Sequence, residues 1–507
     1  MSQKSLTTLR QFAKSAGIKT VTRGVSDTLL KKFASDPNLI LAGERAEAAH
    51  AKLVTEFPAV MKMDEKDALV EVQKGLLQFY DATAVNPYIP IGGAGNWMVT
   101  HTGAAVYCTD GYGMLGLGHA PPQVMEALAQ PHVVANVMTP SFSQMRFNAA
   151  IRREIGHTRG GVCPYESFVC LNSGSESVSL AMRIADIDAK RMTSKGGPHN
   201  GRRSCLVSLK GSFHGRTERP AHASDSTRSV YDQYLKSFSN KDNELPLFTV
   251  EPNNVADLRR VFDEIETAGL HVEVMLMEPV MGEGNPGLAI TREFYDVARE
   301  MTDKYRSLLL VDSIQAGMRS RGTLSLMDYP GFQDAAAPDF ETYSKALNGG
   351  QYPLSVLALG PRVQEIYSRG LYGNTMTTNP RALDVATAVL NSMTPELRKN
   401  INDIGDYFKG RLEALRKDNS DVIESTSGTG LIVAAHLHPQ WRAYGHPLSL
   451  EVLCRRNGLG VIHGGKNALR FTPSFNMTEA EADLATEIVG ESIAEMRVLD
   501  KQGAYKA

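Results

Sequence analysis

The 507-residue chain lacks a charge surplus of either sign, with 54 Lys and Arg against 56 Asp and Glu. A nucleic-acid binder normally carries a basic excess or stripe, so no nucleic-acid partner is expected. Long apolar runs are missing as well. Nothing nears the roughly 18 apolar residues that a membrane span requires, and no signal-peptide core follows Met1. Cysteine is scarce: the five, at positions 108, 163, 170, 205 and 454, are an odd number without a Cys-x-x-Cys spacing. That favours neither a disulfide framework nor a zinc site, so they read as reduced, mostly buried thiols and no metal is expected. Internal repeats and low-complexity tracts are also absent.

What is present is the composition of a soluble globular protein, 42% hydrophobic and 22% charged, in a chain long enough for two or three domains. Residues 1–26 carry Lys4, Arg10, Lys14, Lys19 and Arg23 before the first acid, Asp27. This fits a basic arm on a cytoplasmic protein. The composition is shared with organelle transit peptides, which makes the mitochondrial matrix the alternative.

Residues 27–85 are rich in helix formers, and spacings such as Leu69, Val72, Leu76, Leu77 and Phe79-Tyr80 predict amphipathic helices. The Pro- and Gly-rich string Asn86 to Gly93 marks a boundary. From about 141 to 360, apolar runs at 167–171, 204–209, 272–278, 307–311 and 354–359 alternate with helical stretches such as 177–192 and 291–305. That alternation implies an α/β domain with a mainly parallel sheet covered by helices on both faces. The tail mixes helix (381–417, 478–498) with short strands near 430–436 and 469–472, as in a smaller α+β domain. The expected division is 1–90 as a helical extension, 91–140 as the first part of the small domain, 141–380 as the large domain and 381–507 as the rest of the small one.

In such sheets chemistry collects in the loops beyond the strand ends. Lys345 follows the strand-like Phe340-Glu341-Thr342-Tyr343 and precedes two glycines, Gly349 and Gly350, an unusual place for a surface lysine. Ser307–Val311 likewise ends in Asp312, followed by Gln315. A carboxylate and an amine at the ends of two strands can face the two ends of one pyridine ring, so the pair points to pyridoxal phosphate (PLP). Asn172-Ser173-Gly174-Ser175-Glu176-Ser177, between a strand and a helix, is either a helix cap or a phosphate cradle. In Ser212-Phe213-His214-Gly215-Arg216-Thr217 an aromatic could stack on a ring and Arg216 hold a carboxylate; a loop with a packed Phe and a solvated Arg reads equally well. The strand 272–277 ends in Glu278-Pro279-Val280-Met281-Gly282-Glu283-Gly284, which sets two glutamates at a strand end. Arg470, among the apolar neighbours of Leu469-Arg470-Phe471-Thr472-Pro473, needs an anion, either a structural Glu or a ligand.

From about Gly103 to Thr478 these strings, in order and spacing, resemble the class III aminotransferases of PLP fold type I, the group containing 4-aminobutyrate and ornithine aminotransferases. The resemblance implies that Lys345 forms the internal Schiff base, that Asp312 keeps the pyridine nitrogen protonated, and that Gln315 bonds the phenolic oxygen. It assigns Gly174 and Ser175 to the phosphate, and Phe213 to the ring face with His214 beside it. Thr375, in Asn374-Thr375-Met376-Thr377-Thr378-Asn379-Pro380, matches a phosphate contact given by a partner subunit, which implies a homodimer. Tyr112 matches a substrate-pocket position. Arg216 would grip a distal carboxylate and Arg470 the α-carboxylate of glutamate or 2-oxoglutarate. Glu283 would pair with Arg470 when the donor lacks that group.

The chain departs from the family pattern at Ser177-Val178, Met281, Ser313 and Arg319-Ser320-Arg321, and its N-terminal stretch is longer than most. Gly111-Tyr112-Gly113-Met114-Leu115-Gly116 satisfies G-x-G-x-x-G, but His119-Ala120-Pro121-Pro122 separates it from any helix, so no nucleotide site is expected there. The Asn476-Met477-Thr478 sequon reads as incidental. The expected activity is transfer of an amino group from an ω-amino acid, or other amine-bearing acid, to a 2-oxo acid acceptor, 2-oxoglutarate, by a ping-pong route. Alternatives are an aminomutase, racemase, epimerase or decarboxylating enzyme of the same superfamily, and a non-catalytic scaffold that has kept the fold.

Overall fold

The computed structural model describes residues 2–238 and 245–504. The chain forms two compact units, one of residues up to Pro122 together with those from Asp403 onward, the other Gln123–Asn402. These divisions fall after 122 and 402, where the sequence suggested 90, 140 and 380. Helix Pro380–Asn391, expected in the C-terminal part, packs against helix Phe142–Glu154 of the Gln123–Asn402 unit.

That unit is built on a seven-stranded sheet ordered Ser167–Leu171, Ser355–Leu359, Phe340–Tyr343, Leu308–Asp312, Leu270–Met277, Arg203–Leu209 and Leu247–Val250. Ser355–Leu359 runs antiparallel to both its neighbours, and the other pairings are parallel. Each parallel pairing needs a crossover, and helices Val255–Thr267 and Arg292–Lys304 serve that role. Asn254 and Thr291 start them, each accepting a backbone N–H of the first turn. Val274, Leu276, Leu308 and Leu310 share a core with helix Gly174–Thr193. The alternate residues Met275, Met277, Leu309 and Val311 are just as buried. Both faces are therefore covered, which is why these strands read as unbroken apolar runs. Strand Leu247–Val250 was not foreseen.

The other unit holds two four-stranded sheets. One orders Pro90–Ala94, Trp97–Thr100, Ala105–Cys108 and Leu459–Gly460; the second orders Ile423–Thr429, Ile432–Leu437, Ala468–Phe471 and Ile462–Gly464. Helix Ser2–Ser15 packs on helix Pro37–Glu56 and buries Leu6, Leu9 and Ala13, so the first part of the basic N-terminal segment is a docked helix.

Two expectations are corrected. The helix predicted through Phe79-Tyr80 stops at Gln73; Gly75 takes a left-handed φ of 82°, and Leu76, Leu77 and Phe79 are exposed. The single helix expected over 381–417 is two, Pro380–Asn391 and Pro395–Asp418, with Pro395 at the break. No helix among the described residues is long and apolar enough to cross a membrane.

Candidate active site

Asp312 closes its strand opposite Thr342, three residues before Lys345. Its Oδ1 accepts the Thr342 hydroxyl at 3.2 Å and the Ile314 N–H at 3.1 Å, and its Oδ2 meets His214 Nδ1 at 2.8 Å. The carboxylate is 4% exposed. Lys345 begins a one-turn 3₁₀ segment, Lys345–Asn348, with a φ of 49°. A non-glycine residue held there is strained by about 1 kcal/mol or more, and such strain gathers at functional positions. The turn is braced by Ser344 Oγ and Asn348 Nδ2, which both donate to the Leu354 carbonyl. The next residue, Ser355, donates its hydroxyl to the Ser173 carbonyl at 2.6 Å, so one strand start ties the lysine turn to the Gly174–Ser175 loop.

Ser173 caps helix Gly174–Thr193 by accepting the Glu176 N–H, leaving the first-turn amides at Gly174 and Ser175. A β-carbon at Gly174 would lie 2.8 Å from Ile314 Cδ1. At Gly215, whose φ is 123°, a β-carbon would come within 2.4 Å of Ser175 Oγ. Glycine is needed there on both counts. Gly282 is crowded in the same way: a β-carbon would sit 1.5 Å from Gln315 Oε1. The loops bearing Ser175, His214, Glu283 and Gln315 thus converge at one sheet end, with the Arg216 guanidinium 5.4 Å from the Phe213 ring centre.

Thr375 is exposed and follows a segment tied to this loop. Asn374 Nδ2 donates to Glu176 Oε1 at 3.0 Å, and the Tyr372 hydroxyl donates to the same oxygen. In the other unit, buried Arg470 lies with its guanidinium carbon 5.3 Å from the Tyr112 ring centre. Thr472 secures that arrangement by accepting the Gly113 N–H at 3.1 Å and giving its own N–H to the Thr109 carbonyl at 2.8 Å. The G-x-G-x-x-G string is an irregular stretch between strand Ala105–Cys108 and a helix that opens only at Pro122.

Sequence reasoning missed the supporting residues. Thr342 and Ser224 hold Asp312 and the His214 backbone, the latter through a 2.9 Å bond from His214 N–H to Ser224 Oγ. Glu341, buried on the lysine strand, accepts the hydroxyls of Tyr165 (2.6 Å), Ser313 (2.5 Å) and Ser325 (2.5 Å) and the Leu326 N–H (2.8 Å). Burial raises its carboxyl above the ordinary range, although these bonds oppose the shift. Glu278 was seen only as one of two loop glutamates. It is buried, accepts the Phe213 and Gly282 N–H groups, and is pushed up to about 7, chiefly by burial.

A class-III aminotransferase family model matches residues 80–493. The chain belongs to that family. The class-III aminotransferases are PLP-dependent enzymes that take an amine donor and an oxo-acid acceptor. The acetylornithine aminotransferase of Xanthomonas axonopodis pv. citri is 29% identical over 377 residues, covering 74% of this chain and 84% of the relative. Ornithine aminotransferase 2 of Staphylococcus aureus is 28% identical over 384 residues, covering 74% and 86%. The fold is that of the ornithine aminotransferase of Toxoplasma gondii, with a TM-score of 0.71 at 20% identity over 89% of this chain and 99% of that one.

The residues present fit PLP. Among the described residues His214 Nε2 is buried without a hydrogen-bond partner, the glycine-lined loops open at a helix N-terminus suited to a phosphate, and Asp312 is a buried carboxylate of the kind a protonated ring nitrogen requires.

Proposed function

We propose that this class-III aminotransferase moves the amino group of an ω-amino acid, or a related amine-bearing acid, to 2-oxoglutarate in two half-reactions, as a homodimer with shared sites. The observation that carries the reading is the placement of Asp312, bonded to His214, across from Thr342 three residues before Lys345. The names of the relatives, acetylornithine and ornithine aminotransferases, support an ω-amino donor.

Bound PLP supplies an electron sink for the carbon that loses its proton. Lys345 Nζ would anchor the cofactor and, once free, would serve as the base that takes the proton from the donor's amine-bearing carbon and later gives it back. Asp312 would keep a proton on the ring nitrogen, with His214 orienting the carboxylate. Gln315 would bond the phenolic oxygen, Phe213 would cover the ring, and Gly174 and Ser175 would hold the phosphate. Tyr112 would line the substrate pocket, Arg216 would take a distal carboxylate and Arg470 the α-carboxylate of the acceptor, and Glu283 would answer Arg470 when the donor has none.

The homodimer reading rests on the surface around Thr375. An open groove of about 780 Å³ is lined by Val133, Val134, Phe142, Thr375 and Met376, and Met138, Phe142 and Met376 are 81%, 77% and 62% exposed. Apolar side chains displayed together in this way mark an association surface.

The test is a screen of amine donors, each added alone, followed by loss of the bound cofactor's visible absorbance, with wild type and Arg470→Ala then compared on 2-oxoglutarate. A donor should bleach the absorbance and 2-oxoglutarate restore it, with much weaker 2-oxoglutarate binding in Arg470→Ala. Equal affinity in the two proteins would remove the acceptor assignment.

A further inference from the structure

Glu278 follows strand Leu270–Met277 and is 4% exposed. Its Oε1 accepts the Phe213 N–H at 3.0 Å and its Oε2 the Gly282 N–H at 2.9 Å. The two amides belong to different loops. The first continues into His214, which meets Asp312 at 2.8 Å. The second lies against the Gln315 side chain, so closely that a β-carbon on Gly282 would overlap it. A single side chain thus fixes the backbone under the ring cover, next to the Asp312 partner, and the wall that confines Gln315. Both donors are neutral backbone amides; the charges acting on Glu278 are those of His214 and Asp312. A buried carboxylate whose charge is answered by two backbone amides is costly where a neutral acceptor would close the same junction.

We propose that Glu278 is a positioning residue for PLP, a charged clamp that sets the Phe213 and Gly282 loops at their distance and places a negative charge beside the His214–Asp312 pair. The inference rests on the cofactor contacts read above for Phe213, Asp312 and Gln315. Burial, the largest influence, brings its carboxyl to about 7, with His214 lowering it and Asp312 raising it, so the clamp changes charge near neutrality.

The experiment measures PLP retention and the pH midpoint of the visible absorbance in holoenzyme of wild type, Glu278→Gln, Glu278→Asp and Glu273→Gln. Glu273 is a control on the same strand, equally buried but paired with Arg219. Glutamine keeps the shape but loses the charge and one acceptor. Its PLP should dissociate about 10- to 100-fold more readily, the effect of one buried charge-assisted hydrogen bond. Its midpoint should fall, because removing a negative charge disfavours nearby protonated forms. Aspartate keeps the charge but is too short to span both amides, so it should weaken PLP while holding the midpoint near wild type. Glu273→Gln should stay within about twofold of wild type. Glu278→Gln matching wild type in both readouts would overturn the proposal, as would Glu273→Gln losing PLP equally, which would make Glu278 merely structural. Wild type that takes up no PLP would instead overturn the reading beneath it.

Discussion

Gly282→Ala is a sharp probe because the structure states what the new methyl would strike. Its β-carbon would lie 1.5 Å from Gln315 Oε1, 2.3 Å from Cδ and 2.9 Å from Cγ. Ordinary contact requires the amide to withdraw by on the order of 2 Å. Gly282 is not among the residues with positive φ, so alanine suits its backbone. The obstruction is the far end of a flexible side chain, and overpacking of this kind costs about 1–3 kcal/mol, so the fold should survive. The cofactor contact should not. Displacing Gln315 from a charged oxygen loses about 1.5–3 kcal/mol, or roughly 10- to 100-fold in PLP affinity. Equilibrium dialysis against PLP, read by visible absorbance, measures this for Gly282→Ala, Gln315→Ala and the double variant. Because the glycine acts through the glutamine, the double variant should bind no worse than Gln315→Ala. Wild-type affinity in Gly282→Ala, or effects that add in the double variant, would refute the reasoning.

Further outcomes concern stability and assembly. Glu278 has a folded-state carboxyl near 7 against an ordinary 4.5, so its stabilising contribution is full below pH 4.5 and is lost as pH rises through 7. The loss is about 3 kcal/mol. Urea unfolding should therefore show wild type losing stability relative to Glu278→Gln across that window; a pH-independent difference would contradict it. Glu341→Gln turns one acceptor oxygen into a donor against the hydroxyl and amide donors around it, and should cost about 2–4 kcal/mol in urea unfolding. A change below about 1 kcal/mol would show those bonds to be dispensable. Met138→Asp puts a charge on the apolar surface near Thr375 and should give a monomer mass in light scattering with loss of transamination. An active dimer would remove that surface from the assembly.

The site's frame was legible because fold and chemistry use the same signals. Apolar runs ended in Asp312, Glu278 and Lys345, and a doubly covered sheet places chemistry at strand ends. The supports were not legible, since they join residues far apart in sequence: His214 to Asp312, Ser224 to the His214 backbone, and Glu341 to Tyr165. A buried glutamate in the run Phe340-Glu341-Thr342-Tyr343 carries no local mark of what it will bond. Leu247–Val250 was missed because four residues show no usable period. The false helix over 76–80 came from apolar spacing alone, whereas Gly75 could have signalled the stop. Exposure of Leu76, Leu77 and Phe79 shows that spacing reports a possible face, not a buried one.

The central claim is that Lys345 carries PLP. Reconstituted wild type should absorb in the visible, and borohydride reduction should fix the cofactor's mass on the peptide containing Lys345, while Lys345→Ala shows neither the absorbance nor the label. Retained absorbance in Lys345→Ala, or a label on a different lysine of the wild type, would contradict the account.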